Sequence, residues 1–543
     1  MRIKIGIVSI LLLVASNLFG QYTLSPSTLN FFTVTKGSPD SILVTLTNTQ
    51  STANIEVTGI RFFHPETYSV NTGPFTLGPG QSRSFHVVCN PRHNIKYLDW
   101  MMLETNTEAT VPACFVFAQG KFPNPYYDAT QNKWDEDLES TLKSIITFNY
   151  LDLGYNGVRD EMFMRVDNKA FNGQGATQNT LECFYTGTLA VGYTSRTDCQ
   201  NTFNFNTEHT MPQSFFNSAQ PMMSDMFHLW PTDANANSER ANKPFGVVSN
   251  PTWTVGGSKS SANLFEPRDV TKGRVARALF YFILRYQDYG NFVAPQESIL
   301  RTWCATFLPD AVEKKRNDDI FALQRNRNPF IDHPEFLERI TLLAGTGNRI
   351  PAPAAFVGDD TLNFKAPVPS GQTGYFILSN QGTDTLTFGN VSFSNPDFSL
   401  GQVWSYSIAP DSARKVYVNL NPASGGTNYN ETVTFTTNDA TRPSITIRLL
   451  GESFTVGLNE GNNLFPIVYP NPANHSLNLN WSLPIPENMT ATLFDLSGKM
   501  VLSQRILAGS TDFGMNVADL SRGCYLLRIE GSARPTPFKV NLQ

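Results

Sequence analysis

Thr28-Leu29-Asn30-Phe31 recurs as Thr361-Leu362-Asn363-Phe364, and the correspondence continues for about eighty residues at an offset that stays between 331 and 333. Asn48 matches Asn380, Pro79 matches Pro410, Arg83 matches Arg414, Asn90-Pro91 matches Asn421-Pro422, and Thr105-Asn106 matches Thr437-Asn438. Both copies carry short alternating apolar and polar runs, such as Ser41 to Thr47 and Lys415 to Leu420, separated by Gly, Pro and Asn turns. Alternation with a period of two places one set of side chains inside, so the pattern predicts an all-β sandwich over 22–118 and again over 353–453. Neither copy displays a catalytic constellation. Their expected work is to space, orient or adhere, and the fold alone does not choose among these.

A chain of 543 residues has room for several such units, each with its own core. The net charge of -5 gives no global sign of nucleic-acid binding. The local distribution differs: residues 119–239 carry 7 Lys+Arg against 15 Asp+Glu, and 240–330 carry 14 against 8. An acidic half able to attract metal therefore adjoins a basic half able to attract phosphate.

Residues 1–20 read as a signal peptide, with Arg2 and Lys4 ahead of an apolar run from Ile5 to Ala15 that is too short to span a bilayer. Cleavage is expected near Gly20. No other stretch reaches transmembrane length, so the mature chain is expected to be soluble after export, without an integral membrane segment. Six cysteines are too few for a disulfide scaffold, but an exported chain can keep the pairs it forms. Cys183 with Cys199, and Cys89 with Cys114, are the expected pairs, leaving Cys304 and Cys524 free. None has metal-ligand spacing, which argues against a zinc ribbon.

Between the repeats, from 119 to about 345, helical periodicity replaces alternation. Asp135 to Thr147 places Leu138, Leu142, Ile145 and Ile146 on one face of a helix. A second helix is predicted from Gly273 to Tyr286, with Arg274, Arg277, Tyr281 and Arg285 at spacings of three and four on a face apart from its apolar stripe. Phe203 to Thr207 alternates as a strand that delivers Glu208 and His209 at its end, and Asp225 to Trp230 reads as the return strand. Asp233 then offers an N-cap for a short helix from about Ala234, ended before Pro244, on which Asn237 and Arg240 share a face.

A carboxylate and a side-chain amide are the oxygen ligands that magnesium prefers, and the imidazole beside them titrates near neutrality. Glu208, His209 and Asn237 thus point to phosphodiester hydrolysis. His228, between Phe227 and Leu229, reads as a core histidine, and His333 as a residue fixing a turn at the domain's end. No His-Glu-x-x-His occurs, which excludes the familiar metalloprotease arrangement.

Strand, loop, strand and short helix with these residues describe a ββα-metal (His-Me) finger. Glu208-His209-Thr210-Met211-Pro212-Gln213-Ser214-Phe215, Ser224 to Leu229, Asn237-Ser238-Glu239-Arg240, Phe265-Glu266-Pro267 with Lys272 to Arg277, and Arg327 to Glu335 all resemble the endonuclease I family. The resemblance spans about 225 residues with its motifs in order. It implies Glu208 and Asn237 as metal ligands, His209 as general base, and magnesium as cofactor, with manganese or calcium as alternatives. The substrate implied is DNA, with RNA as a second polymer, cut without strong base preference to 5′-phosphate ends. Arg240, Arg274 and Arg277 are the expected phosphate contacts, because guanidinium pairs bidentately with such oxygens. The rival reading is a cell-surface adhesion or scaffold protein with an inactive nuclease-like domain.

From Asn463 the chain passes through Tyr469-Pro470-Asn471-Pro472, Asp495-Leu496-Ser497-Gly498-Lys499, the Gly523-Cys524-Tyr525-Leu526 strand and Lys539-Val540. This resembles the C-terminal sorting domain of the type IX secretion system of Bacteroidetes. It implies the type IX machinery as partner, and secretion or surface display through the periplasm. The expected architecture is multidomain. An α+β ββα-metal finger nuclease core (119–345) lies between immunoglobulin-like sandwiches (22–118 and 353–453), and a C-terminal β-sandwich sorting domain (463–543) follows.

Overall fold

Both repeat copies build the same strand arrangement in the computed structural model, which describes residues 22–106, 114–286, 290–344, 352–401, 405–455, 466–481, 483–531 and 536–543. The expected signal peptide lies outside the described residues. In the first copy, strands Tyr22–Ser25, Asp40–Asn48, Ser82–Cys89 and Tyr68–Val70 form one sheet. Thr28–Thr35, Cys114–Lys121, Lys96–Thr105, Ile55–Arg61 and Phe75–Leu77 belong to the other, in which Thr28–Thr35 runs parallel to Cys114–Lys121, and this sheet continues into the second copy where Ser412 pairs with Leu98. Inward residues of both sheets, among them Val44, Phe85, Met101 and Val116, join in one core.

The second copy repeats the parallel closure with Thr361–Val368 against Ser444–Thr455. The matched asparagines explain why the repeat is visible in sequence. Asn48 donates its amide to the carbonyls of Ala53 and Leu77 at 2.8 and 2.9 Å, and Asn380 does so to Asp384 and Ile408 at 2.7 and 2.9 Å. Asn106 accepts from the Glu56 N–H, and Asn438 from that of Thr387. Buried turn carbonyls need such partners, so the same amide recurs at the same place.

Between the copies, one large apolar cluster gathers helix α1 (Asp135–Thr147) and the long helix α4 (Asp269–Tyr286) with the short strands around them. Helix α1 has the predicted limits, with Leu138, Leu142 and Ile146 buried. Helix α4 starts at Asp269, earlier than the predicted Gly273. The first copy packs onto this central region through Arg339. Its guanidinium is buried and donates to the Asn94 side chain at 2.6 Å and the Thr130 carbonyl at 2.8 Å.

Residues Val456–Gln543 form a separate unit. It holds a three-stranded sheet (Ile467–Tyr469, Ser476–Asn480, Asp512–Asn516) and a four-stranded sheet (Met500–Ile506, Met489–Phe494, Gly523–Glu530, Thr536–Leu542) around one core. Among the described residues no helix is long and apolar enough to cross a membrane.

All six cysteines are free thiols, which corrects both expected bridges. Cys183 Sγ instead accepts from the backbone N–H groups of Thr186 and Asp233 at 3.3 and 3.1 Å, and this role fixes it beside the strand end.

Candidate active site

A helix over Arg196–Phe203 ends at Asn204, whose left-handed backbone (φ 57°) reverses the chain into strand β1 (Phe205–His209). Phe203 and Asn204 therefore close that helix rather than open the strand, as the alternation had predicted. β1 pairs antiparallel with β2 (Leu229–Asp233), setting Glu208 opposite Trp230 and His209 opposite Leu229. The return strand was expected to begin at Asp225. It begins at Leu229 because Asp225 is anchored elsewhere: its buried carboxylate receives the Tyr281 and Tyr286 hydroxyls at 2.9 and 2.8 Å and Arg285 at 2.5 Å. A single 3-10 turn over Met226–His228 follows. Asp233 then caps helix α3 (Ala234–Arg240), accepting from the N–H groups of Asn235 and Ala236.

Glu208, His209 and Asn237 line one pocket of about 290 Å³ with Gln213 and Arg240. Two successive strand residues reach it because β1 ends at His209 and Arg240 grips the turn. That guanidinium donates to the His209 and Thr210 carbonyls at 2.9 and 2.5 Å and pairs with Glu208 Oε1 at 3.0 Å. Tyr185 also donates to Glu208 Oε1, at 2.6 Å. Among the described residues no side chain hydrogen-bonds the second carboxylate oxygen. Burial raises the Glu208 pKa, and Arg240 and Tyr185 only partly oppose this.

Asn237 commits its amide nitrogen to Asn206 Oδ1 (2.9 Å) and the Thr207 carbonyl (3.3 Å), and its Oδ1 takes no hydrogen bond among the described residues. A carboxylate and an amide oxygen on the same pocket suit a hard divalent cation that keeps waters for its other positions. No group of three His, Cys, Asp or Glu converges among the described residues, so a soft-metal cage has no place there.

His209 is held at both nitrogens. Nε2 lies 3.2 Å from the Met223 carbonyl, which can only accept, so Nε2 carries the proton. Nδ1 therefore accepts, here from the Gln213 amide at 2.9 Å, whose own oxygen is fixed by Ser218 at 3.1 Å. Burial, then the neighbouring His228, then Arg159 and Arg240, hold the His209 pKa well below its usual range. His228 is a core histidine, donating to the Met222 carbonyl at 2.7 Å, and burial lowers its pKa to about 4.

The expected phosphate contacts divide. Arg240 is at the pocket, but it is 1% exposed and already bound to Glu208 and two carbonyls. Arg277 is corrected outright: it is buried against Glu313, with bonds of 2.8 and 2.5 Å, and the Phe307 carbonyl, and a buried guanidinium cannot meet a polymer. Arg274 pairs with Asp310 at 2.7 Å and lines a different cavity.

Sequence reasoning missed Tyr185, on an earlier turn, and Gln213 and Met223, on two turns of the connection between β1 and β2. It also missed Tyr155 and Arg159 on helix α2 (Gly154–Glu161). Their spacing of four was legible, but nothing in the sequence aimed that face at His209.

The family described as endonuclease I matches residues 135–335, a HYDIN/CFA65/VesB-like, Ig-like domain matches 357–452, and a secretion system C-terminal sorting domain matches 467–540. An extracellular ribonuclease of Bacillus subtilis (strain 168) is 31% identical over 233 residues, 40% of this chain and 77% of the relative. One of Bacillus amyloliquefaciens is 32% identical over 236 residues, again 40% and 77%. An extracellular deoxyribonuclease of Aeromonas hydrophila is 31% identical over 117 residues, 20% of this chain and 50% of the relative. The chain belongs to the endonuclease I family, and it is a secreted or cell-surface nuclease carrying an Ig-like domain and a type IX sorting domain.

Proposed function

We propose that Glu208, His209 and Asn237 are the working centre of a ββα-metal finger that hydrolyses phosphodiester bonds in DNA and RNA with little regard for base. The observation that carries this reading is the setting of His209, with Nε2 on the Met223 carbonyl and Nδ1 on the exchangeable Gln213 amide, in the pocket lined by Glu208 and Asn237.

Nδ1 takes the proton of a water that replaces the Gln213 amide there, and the water oxygen attacks phosphorus in line. The Met223 carbonyl holds the ring through Nε2–H and favours the imidazolium that forms. Arg240 and Tyr185 fix the Glu208 carboxylate. Glu208 and Asn237 would hold magnesium, or manganese or calcium, whose charge when bound offsets negative charge building on the phosphate and the leaving 3′ oxygen. The bond from phosphorus to the 3′ oxygen breaks, that oxygen takes a proton from solvent water, and the products are 5′-phosphate and 3′-hydroxyl ends. Because the nucleophile is water, the sugar 2′-hydroxyl takes no part, and both polymers are substrates. Residues 22–118 and 353–453 act as immunoglobulin-like sandwich spacers, 119–345 as the nuclease domain, and 463–543 as the segment read by the type IX machinery.

The test incubates purified protein with plasmid DNA and with RNA, in magnesium or in EDTA, beside His209→Ala. Cleavage of both polymers is expected in magnesium only, with the variant about 10²- to 10⁴-fold slower. Equal integrity of both polymers with wild type and variant under every metal tried would overturn the reading.

A further inference from the structure

The geometry points to Arg159 as the side chain that grips the phosphate being cut. Arg240, the arginine that lines the pocket, is committed to Glu208, and others of the nuclease are paired as well: Arg268 with Glu182 and the Phe184 carbonyl, Arg285 with Asp225, Arg316 with Asp167. Arg159 forms no ion pair among the described residues. Its neighbours Asp160 and Glu161 are taken by Arg196 (2.7 Å) and Arg165 (3.4 Å). Among the described residues its side chain makes one hydrogen bond, from Nε to Thr207 Oγ1 at 3.1 Å, and neither terminal nitrogen has an acceptor there.

Three contacts place that fork beside the base. Thr207 is part of the wall of the Glu208–His209 pocket. The guanidinium lies 4.8 Å over the ring of Tyr155, one turn earlier on α2. The Tyr155 ring centroid is in turn 5.7 Å from that of His209. Arg159 is half-buried, so it has lost water without gaining a counter-charge, a costly state unless an anion arrives. A planar fork held by Nε at its stem and by an aromatic face offers two parallel N–H donors, which match two oxygens of a phosphodiester. Nucleic acid is the polymer that brings this anion to His209.

This inference rests on the proposal that the Glu208–His209 pocket cleaves, and a binding measurement separates the two. In a His209→Ala background, a short fluorescein-labelled single-stranded DNA is titrated by anisotropy across a series of KCl concentrations in magnesium. Adding Arg159→Gln, which keeps a donor for Thr207 but removes the charge, is expected to flatten the slope of log K against log salt by about 0.7. Arg159→Lys restores that slope. With His209 intact, Arg159→Gln lowers kcat/KM about 10- to 100-fold, the effect of one charged hydrogen-bonding contact, and Arg159→Lys recovers it only in part.

A flattened slope with unchanged kcat/KM would overturn the assignment, since the phosphate held would not be the one cut. A lowered rate with an unchanged slope would also overturn it, reducing Arg159 to a support for Thr207. Loss of cleavage by the wild type itself would defeat the hydrolytic proposal, while the slope would still decide whether Arg159 meets phosphate.

Discussion

Helices α4 and α2 both carry arginine within the nuclease, three on α4 and one on α2, yet only α2 leaves a cation open among the described residues. On α4, Arg277 and Arg285 are buried against Glu313 and Asp225, and Arg274 pairs with Asp310. On α2, Arg159 has a hydroxyl and an aromatic ring but no carboxylate. The sequence shows a basic half beside an acidic half, and folding joins them. Arg240–Glu208, Arg268–Glu182, Arg285–Asp225 and Arg316–Asp167 all cross between the halves, at 3.0, 2.5, 2.5 and 2.8 Å. A charge excess along the chain therefore measures the ion pairs available for folding, and a binding cation is one that this matching leaves over.

The largest effect that could break the comparison belongs to Arg277. Both Arg277 and Glu313 are nearly inaccessible, so Arg277→Ala strands a buried carboxylate and is expected to cost about 3–5 kcal/mol, read by urea unfolding. Replacing both partners by apolar residues, Arg277→Met with Glu313→Leu, returns most of that loss. The salt slope for DNA binding stays at its parental value in each variant that folds. An Arg277→Ala protein of parental stability but weaker DNA binding would erase the distinction between the two helices.

This contrast also marks what could be read from sequence. The elements that carry Glu208, His209 and Asn237 were legible because strand alternation, an Asp N-cap and helical spacing are local rules, and each held to within a few residues. The repeat was legible because Asn48 and Asn380 satisfy the same buried carbonyls. Arg277 was misread because whether a guanidinium faces solvent or Glu313, 36 residues away, is settled by tertiary packing. Tyr185 and Met223 were invisible for the same reason: a hydroxyl and a backbone carbonyl become site groups only through the loops that carry them to Glu208 and His209.

Glu335 offers an intermediate case, a buried carboxylate with a cation from the first repeat copy. Burial alone would raise its pKa. The hydrogen bond from His333 at 3.0 Å and the charge of Lys36 bring it instead from 4.5 down to about 2. A carboxylate depressed in the folded state stabilises fully above its unfolded pKa and loses that contribution as pH falls through the folded one. The stabilisation, on the order of 3 kcal/mol, should therefore be complete above about pH 5 and fade between about pH 4.5 and pH 2. Comparing wild type with Glu335→Gln by thermal unfolding across that window checks it. The two curves should converge toward pH 2, and a constant gap would assign the loss to packing.

The smallest expected effect is at Arg274. Its side chain is 20% exposed and that of Asp310 56%, so solvent screens their pair and returns little for the entropy of holding two side chains together. Arg274→Ala should change unfolding free energy by less than about 1 kcal/mol, and salt should narrow even that difference. Its value lies in what it separates. Arg274 is the most accessible of the three arginines on α4, so it is the residue through which that helix would contact a polymer if the helix did so at all. Anisotropy with the same labelled DNA should give the parental salt slope for Arg274→Ala, beside the flattened slope of Arg159→Gln. A flattened slope at Arg274 with stability intact would show that the Asp310 pair opens to phosphate, and availability would then depend on exposure as well as on pairing.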